Sequence, residues 1–273
     1  MLALGLVSAC DGSLSHRSVA EMSGTVTIEH DVERVRVEVQ NGTVGVDSGT
    51  GRVIQFAGGV RRAADTASEL ARIEQIPVTF TAAPDPVDPH VLVLRGPAIP
   101  AGGPLGILGV EVGIRMPADI ALEIAVAGSG HITVANRTAP TRAETGRGDL
   151  RFERCAGGVR ARTGRGNVIA VDHIGDLDIQ TTVGGMQAFV REPGALIRLV
   201  TGQGTVQCHV PAATGFDLDA RTEEGRIRNG FGLTAETVRE YGAALVAKVG
   251  SARTAIVLRT GSGHLSLAPK AFD

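Results

Sequence analysis

The sequence predicts an all-β protein, a single-domain β-solenoid with an atypical N-terminal cap. Three observations predict this fold. Glycine supplies 37 of the 273 residues, whereas aromatic residues make up only 3% and Trp is absent. A short glycine turn recurs at near-regular spacing, and apolar and polar residues alternate on both sides of it. A core with so few aromatic rings is filled by small and branched aliphatic side chains, which suits thin repeated β layers.

The recurring turn spans four residues and closes on a glycine. Its seven copies close at Gly130, Gly148, Gly166, Gly185, Gly204, Gly225 and Gly263. The spacings between them are 18, 18, 19, 19, 21 and 38 residues, so the units are about 18 to 21 residues long. The last spacing is twice 19, which predicts a unit between Asn229 and Ser251 that has lost its signature or gained an insertion. We expect each closing glycine to provide a positive φ or a crowded backbone position.

Strands are predicted on both sides of each turn. Segments such as VRARTGRG before a turn and NVIAVD after it alternate apolar and polar residues with period two, as strands with one buried face do. One unit cannot bury its apolar face alone, so we expect a right-handed β-helix-like or β-roll-like stack from roughly Val110 to the carboxyl end. The Asp, Asn or His that follows a closing glycine is expected to hydrogen-bond to the local backbone.

The first third of the chain is less regular. Gly42 occupies a related turn, and the runs VLVLRG and VEVGIRMP are further candidate strands. In DTASELARIEQI, Asp65 and Thr66 are candidate caps, and the apolar spacing predicts a short surface helix. The proline-rich stretches between these segments are interpreted as loops. Because the strand pattern continues across them, residues 19–273 are predicted to form one β-strand-repeat domain.

The amino terminus predicts export. Residues 1–9 form a short apolar run that ends in small residues before Cys10, and residues 10–18 are polar and small, as a tether is. The run resembles the lipobox of a bacterial lipoprotein signal. This resemblance implies a diacylglycerol thioether on Cys10 and a membrane-anchored protein on the extracytoplasmic side of the cell envelope. No Lys or Arg precedes the run. Either Met1 lies downstream of the true start of the protein, or the run is a chance apolar end on a cytoplasmic protein.

The repeated turn also resembles a known family. The segments ETGRGDLRFE, RTGRGNVIAV and RTGSGHLSLA are similar to the bacterial putative-adhesin family of β-strand repeats, a domain of unknown function related to head-GIN adhesin-like domains. The likeness spans about Val19 to Pro269 and is strongest from Gly128 onward. It implies a β-solenoid fold, a frequent lipoprotein or membrane-linked context, a binding role and no established catalytic residues.

Arginines cluster between Arg142 and Arg165 and suggest an anion-contact face. The equal spacing of their turns would align Arg147 with Arg165 in a column, and such a column can contact anionic glycans, lipid headgroups or phosphate. Carboxylates such as Glu144 and Glu153 interleave with the arginines. An ion-paired, solvated face is therefore the competing interpretation.

Glycine motifs and the RGD tripeptide carry little functional information. The GxG turns lead into strands, and they lack the Lys–Ser/Thr pair of a P-loop and the helix of a dinucleotide fingerprint. The tripeptide at Arg147, Gly148 and Asp149 spells the integrin motif. Because the repeat itself fixes Gly148, chance explains this match better than integrin binding does.

The acidic and histidine residues do not form a catalytic pattern. Asp172, Asp176 and Asp178 are close in sequence, but they are interpreted as solvated surface because no aromatic platform for sugar stacking accompanies them. His131 and His264 follow closing glycines of distant units, too far apart for one metal site. Two remaining cysteines are interpreted as unpaired, partly buried thiols: Cys155 and Cys208.

The function predicted from these observations is that of a non-enzymatic, lipid-anchored scaffold or binding and adhesion module of the cell envelope. We expect no catalytic residue, no metal site and no cofactor, and a protein or glycan partner. Nucleic acid is not expected, because the net charge is −2 and stacking aromatics are scarce. An extracytoplasmic polysaccharide-active β-helix enzyme and, if the signal is spurious, a cytoplasmic regulatory partner are the alternatives.

Overall fold

The computed structural model describes residues 15–98, 107–234, 236–238, 242–251 and 253–270. Within this part of the chain, 21 strands form one hydrogen-bonded sheet, and there is one helix. The prediction of an all-β protein is therefore confirmed. No helix among these residues has the length and hydrophobicity needed to cross a membrane.

The first third of the chain forms seven strands and the helix. They are β1 (His16–Thr27), β2 (Arg34–Val39), β3 (Gly42–Gly49), β4 (Val53–Ala64), α1 (Ala67–Glu74), β5 (Thr81–Pro84), β6 (Val91–Arg95) and β7 (Ile107–Pro117). The helix begins after Thr66, whose hydroxyl accepts a 3.2 Å hydrogen bond from the Glu69 amide, so the predicted cap is confirmed. β1 begins at His16, inside the segment predicted to be a tether, because it pairs with β4 from that residue onward.

The middle and the end of the chain are built from strands alone. The middle strands are β8 (Ala121–Ser129), β9 (Ile132–Ala135), β10 (Thr141–Arg147), β11 (Leu150–Glu153), β12 (Val159–Arg165), β13 (Val168–Val183), β14 (Met186–Gln203) and β15 (Val206–Val210). The last strands are β16 (Phe216–Glu224), β17 (Ile227–Asn229), β18 (Glu236–Val238), β19 (Gly242–Val249), β20 (Thr254–Ser262) and β21 (Leu265–Pro269).

The strands pair in two ladders, one on each side of the glycine turns. The pre-turn ladder has the order β5-β6-β2-β8-β10-β12-β13-β14-β20-β16-β19-β18. The post-turn ladder has the order β1-β4-β7-β3-β9-β11-β13-β14-β15-β21-β17. Both contain β13 and β14, which are long enough to pass from one ladder to the other. Pairing is parallel in the middle of both ladders and antiparallel near their ends, except at the C-terminal end of the post-turn ladder, where β15, β21 and β17 pair in parallel.

The parallel register repeats the spacing seen in the sequence. Val159 lies opposite Thr141 in one pair and opposite Leu177 in the next, so the offset is the same in each direction and equals the spacing of the turns. Regular parallel pairing begins earlier than the predicted start near Val110, because β2 pairs with β8 and β3 pairs with β9. The first turn of this kind is the one at Gly42, as the sequence suggested, with a φ of 132°.

The end of the chain does not follow the sequence order. β20 lies between β14 and β16, so the unit closed by Gly263 is inserted between the units closed by Gly204 and Gly225. β18 and β19 occupy the long spacing before it, and β19 pairs antiparallel with β16 at the side away from β20. The long spacing is therefore an insertion that carries the chain around β16, and no degenerate unit needs to be assumed.

Alternate residues of the two ladders point into one shared core. Val159 and Ala161 of β12 are buried, and the residues between them are exposed. Buried aliphatic side chains from both ladders form a single hydrophobic cluster. Two ring contacts lie near the ends of the ladders, with centroids 5.3 Å apart for Phe56–Phe80 and 5.1 Å apart for Phe216–Phe231. Rings therefore help to close the core where no further unit covers it.

Candidate functional site

Each turn places its closing glycine against the turn of the neighbouring unit. Gly148 has a φ of 137° and Gly166 a φ of 157°, values that residues with a Cβ rarely adopt. A Cβ on Gly166 would overlap the carbonyl oxygen of Gly148, and one on Gly148 would overlap that of Gly130. Neighbouring turns therefore pack backbone against backbone. Closing glycines with the same geometry are Gly204, Gly225 and Gly263.

Two of the predicted turn glycines differ from this pattern. The assignment of Gly185 is wrong, because Gly184 has the positive φ of 148° and lies against the Gly166 carbonyl group. Two adjacent glycines made the sequence ambiguous, and the correct choice gives the same spacing after Gly166 as between Gly148 and Gly166. Gly130 does not have a positive φ, and only the close approach of the Gly42 backbone excludes a Cβ there.

A buried threonine precedes the closing glycine of most units and binds the neighbouring turn. The Thr163 hydroxyl donates to the Gly148 carbonyl oxygen over 3.1 Å, and the Thr201 hydroxyl donates to the Gly184 carbonyl oxygen over the same distance. Such a hydroxyl satisfies a carbonyl group at the margin of an apolar core. The predictions did not include this role, although the repeated Thr at the start of the turn was its signal. The same bond joins Thr145 to Gly130, Thr181 to Gly166, Thr222 to Gly263 and Thr260 to Gly204.

The Asp, Asn or His that follows a closing glycine bonds to an adjacent unit rather than to its own backbone. The Asp149 carboxylate accepts a 2.7 Å bond from the Asn167 amide, and the Asn167 side chain accepts a 2.9 Å bond from the Gly185 amide. His131 and His264 act in the same way, each through Nδ1 to the backbone of an adjacent unit. The expectation of local bonding is therefore wrong. The carboxylate of the RGD tripeptide takes part in this contact between units.

Three arginines near the turns form what we call the arginine face: Arg147, Arg162 and Arg165. Arg147 lies opposite Arg165 in the pairing of β10 with β12, and all three side chains are exposed. Neighbouring strands of a sheet lie about 4.8 Å apart, so the column repeats at roughly that distance. Within the described residues, these side chains make neither an ion pair nor a hydrogen bond, which distinguishes them from the arginines around them.

The surrounding arginines are engaged by carboxylates. Arg142 contacts Glu144 at 2.7 Å, and Asp178 lies 3.0 Å from Arg198 and 3.5 Å from Arg160. The competing interpretation of an ion-paired surface therefore describes the outer part of the pre-turn ladder. Beside the turns the positive charge of the arginine face is not compensated in this way.

A groove of about 540 Å³ runs along the ladder next to the arginine face. Its floor is one column of residues on five neighbouring strands: Ala125, Glu144, Arg162, Gln180 and Val200. One wall of the groove is low because it is lined by the first glycine of each turn, such as Gly146 or Gly164, which has no side chain. A Cβ at Gly164 would lie 2.6 Å from the carbonyl oxygen of Gly146, so close packing of the units favours glycine there. The repeat itself therefore builds the groove.

The groove and the arginine face together suit an extended anionic ligand. A guanidinium group presents a planar fork of donors that binds carboxylate, sulfate or phosphate oxygens in pairs. Arg162 projects from the groove floor, and the column of Arg147 and Arg165 adds two further charges at the turns. A chain that lies across the strands would meet these charges in succession.

The carboxylates weighed as catalytic residues have structural partners. Asp172 lies 3.7 Å from Arg191, and the Asp176 carboxylate accepts a 3.0 Å bond from the Leu196 amide. Asp178 is held between two arginines, as described above. No pair of free carboxylates suited to acid–base chemistry is formed by these three residues.

The two described cysteines are free and buried, so their interpretation as unpaired thiols is confirmed. Burial raises the pKa of the Cys155 thiol to about 11 and that of the Cys208 thiol to about 12. A thiol with such a pKa is almost wholly protonated at neutral pH, and the thiolate is the nucleophilic form. These residues therefore serve packing. Cys10 lies outside the described residues.

One aromatic feature of the post-turn ladder was not predicted. Phe189 stacks on His209 with ring centroids 4.7 Å apart, and the Lys270 ammonium lies 4.3 Å above the Phe189 ring. The two rings meet because the parallel register of β14 and β15 places Phe189 opposite His209. Burial, followed by the Lys270 charge, lowers the pKa of His209. This small cluster lies on the other ladder, away from the arginine face.

Comparisons with known proteins give distant structural similarity. No family model and no curated protein matches the chain. A "putative cell adhesion protein" from Clostridium sporogenes ATCC 15579 is 12% identical over 93% of this chain and 100% of its own, with a TM-score of 0.41. A "putative adhesin" from Parabacteroides merdae ATCC 43184 is 7% identical over 92% and 96% of the two chains, with a TM-score of 0.24.

Proposed function

We propose that this protein is a non-enzymatic binding module of the cell envelope, and that the arginine face contacts an acidic glycan. The observation that carries the proposal is the uncompensated column of Arg147 and Arg165 beside a groove that contains Arg162. Isolated surface charges attract counter-ions weakly, but several aligned guanidinium groups bind a polyanion through summed contacts. The groove gives an extended chain a path along which these contacts are made.

We also propose that residues 19–273 form a single-domain β-solenoid. The constant parallel offset between the middle strands, one repeat unit at each step, supports this description. So do the closing glycines, which suit direct contact between consecutive turns. Repeated units of this kind create long, regular surfaces, and such surfaces are used for binding rather than for enclosing a small substrate.

The proposal also includes an anchor at the amino terminus. Residues 1–9 would act as a signal, Cys10 would receive the lipid, and the following polar residues would separate the membrane from the sheet. Metabolic labelling with a palmitate analogue tests the anchor. We expect label on the wild-type protein and none on Cys10→Ser, and an unlabelled wild-type protein would contradict lipidation without affecting the binding proposal.

The binding proposal is tested with three immobilised polysaccharides: polygalacturonate, heparin and neutral dextran. We expect the wild-type protein to bind one or both acidic polymers and not dextran, with an affinity that falls as salt screens the charges. The triple variant Arg147→Gln, Arg162→Gln and Arg165→Gln should lose at least about tenfold in affinity, since each guanidinium contact contributes a fraction of the binding free energy.

A second triple variant serves as a matched control. Arg142→Gln, Arg151→Gln and Arg154→Gln remove the same number of positive charges, but these arginines lie beside carboxylates at present. Their loss should change the affinity by less than about threefold, because compensated surface charges contribute little. Equal losses in the two variants would show that net charge alone drives binding. Release of shortened or unsaturated sugars from either acidic polymer would replace the proposal with the enzyme alternative.

A further inference from the structure

The two ladders end in four edge strands, and one of them differs from the other three. Within the described residues, β5, β17 and β18 contain 4, 3 and 3 residues, and β5 ends in Pro84. Short edges and proline discourage pairing with another chain. β1 instead contains 12 residues without proline, and every one of them pairs with β4 on one side. Its other side is a long template for strand pairing.

The exposed face of β1 is complementary to itself. Arg17, Val19 and Glu21 point outward in alternation, and Val19 is 70% exposed. If two copies of β1 pair antiparallel around a two-fold axis at Val19, Arg17 of each copy lies opposite Glu21 of the other. The two Val19 side chains then face each other. Opposite charges and apolar residues placed directly across an antiparallel pair stabilise it.

We propose that this protein forms a two-fold homodimer through antiparallel pairing of β1 with β1 of a second copy, over His16–Met22. The pairing joins the post-turn ladders of the two copies into one continuous sheet. A ladder of this length buries less surface than a standard protein interface, so the dimer exchanges with the monomer. The interface does not involve the arginine face, so dimerisation and glycan binding are tested independently of each other.

Sedimentation equilibrium of the full chain, from about 1 μM to about 1 mM, tests the dimer. The wild-type mass should rise from one chain to two across this range. Val19→Lys places two ammonium groups opposite each other at the axis and should stay monomeric. Val246→Lys is the matched control, because Val246 is 69% exposed but lies on β19, near the C-terminal end of the other ladder and away from β1. A wild-type protein that stays monomeric, or a Val19→Lys variant that dimerises normally, overturns the proposal.

Charge exchange tests the register. Arg17→Glu and Glu21→Arg each place like charges opposite each other in the dimer, and each should weaken dimerisation at least about tenfold. The double variant has opposite charges again in both copies and should recover the wild-type association to within about threefold. A folding defect would not be repaired by exchanging two charges. A double variant as weak as the single ones overturns the pairing around Val19.

Discussion

The middle of the chain and its C-terminal end use the same turn but arrange their units differently. In the middle, the units closed by Gly148, Gly166 and Gly184 lie side by side in sequence order. At the end, the unit closed by Gly263 lies between those closed by Gly204 and Gly225. All of these glycines meet the neighbouring unit in the same way. A turn built from backbone contacts accepts any copy of itself as a neighbour, so the turn does not determine the order.

The side chains of the last units make contacts that favour the observed order. Arg259 of β20 contacts Asp219 of β16 through both terminal nitrogens of its guanidinium group, and one of these bonds is 2.9 Å long. Phe216 packs edge-on against Phe231 beside the outermost unit. β19 covers the far side of β16, so no further unit can be added there in parallel. These contacts distinguish one unit from another where the repeat does not.

The largest expected effect comes from the turn that both regions share. Gly166→Val and Gly263→Val should each lower the free energy of unfolding by at least about 3 kcal/mol, because a branched side chain must adopt a positive φ against a neighbouring carbonyl group. Urea unfolding followed by circular dichroism measures the change. Gly109→Val in β7 is the control, since a Cβ there meets no atom within 4 Å. If valine were tolerated at Gly263 but not at Gly166, the unit closed by Gly263 would be less closely packed than the middle units.

A smaller effect is expected at the buried threonines. Thr201→Val keeps the shape of the side chain but leaves the Gly184 carbonyl oxygen without its 3.1 Å hydrogen bond, and it should cost about 1 to 2 kcal/mol. Thr201→Ser keeps the hydroxyl but removes the γ-methyl group, so it measures the packing contribution of that methyl group separately from the hydrogen bond. Thr133→Val is the matched control, because that half-buried residue points outward on β9. Identical unfolding midpoints for Thr201→Val and the wild-type protein would rule out a stabilising role for the hydroxyl.

Much of the fold followed from residue patterns, and the failures have physical reasons. Period-two alternation predicted the strands because one face of each is buried, and Thr66 predicted the helix start because its hydroxyl caps an amide. The order of the last three units was not predictable, because copies of the same turn motif carry no information about which copy lies beside which. The arginine column followed from the equal spacing of the turns. The groove was not predicted, although the same spacing also places Gly146 beside Gly164, where the absence of side chains lowers one of its walls.

The smallest expected effect comes from removing a single ion pair, Arg259–Asp219 at the C-terminal end or Arg142–Glu144 in the middle. The Arg259 guanidinium holds the pKa of Asp219 below its usual range, so the pair stabilises the fold above the unfolded pKa of about 3.9 and loses that effect as the pH falls through the folded pKa. Asp219→Asn should therefore cost less than about 1 kcal/mol at pH 7, since the pair is partly exposed, and nothing at low pH. Glu144→Gln, which removes an exposed ion pair in the middle, should have no measurable effect at either pH. Urea unfolding of the three proteins at pH 7 and at the lowest pH where they remain folded measures both differences. A cost for Asp219→Asn that persists at low pH would assign the contact to packing, and the order of the last units would then depend on Phe216 and β19 rather than on charge.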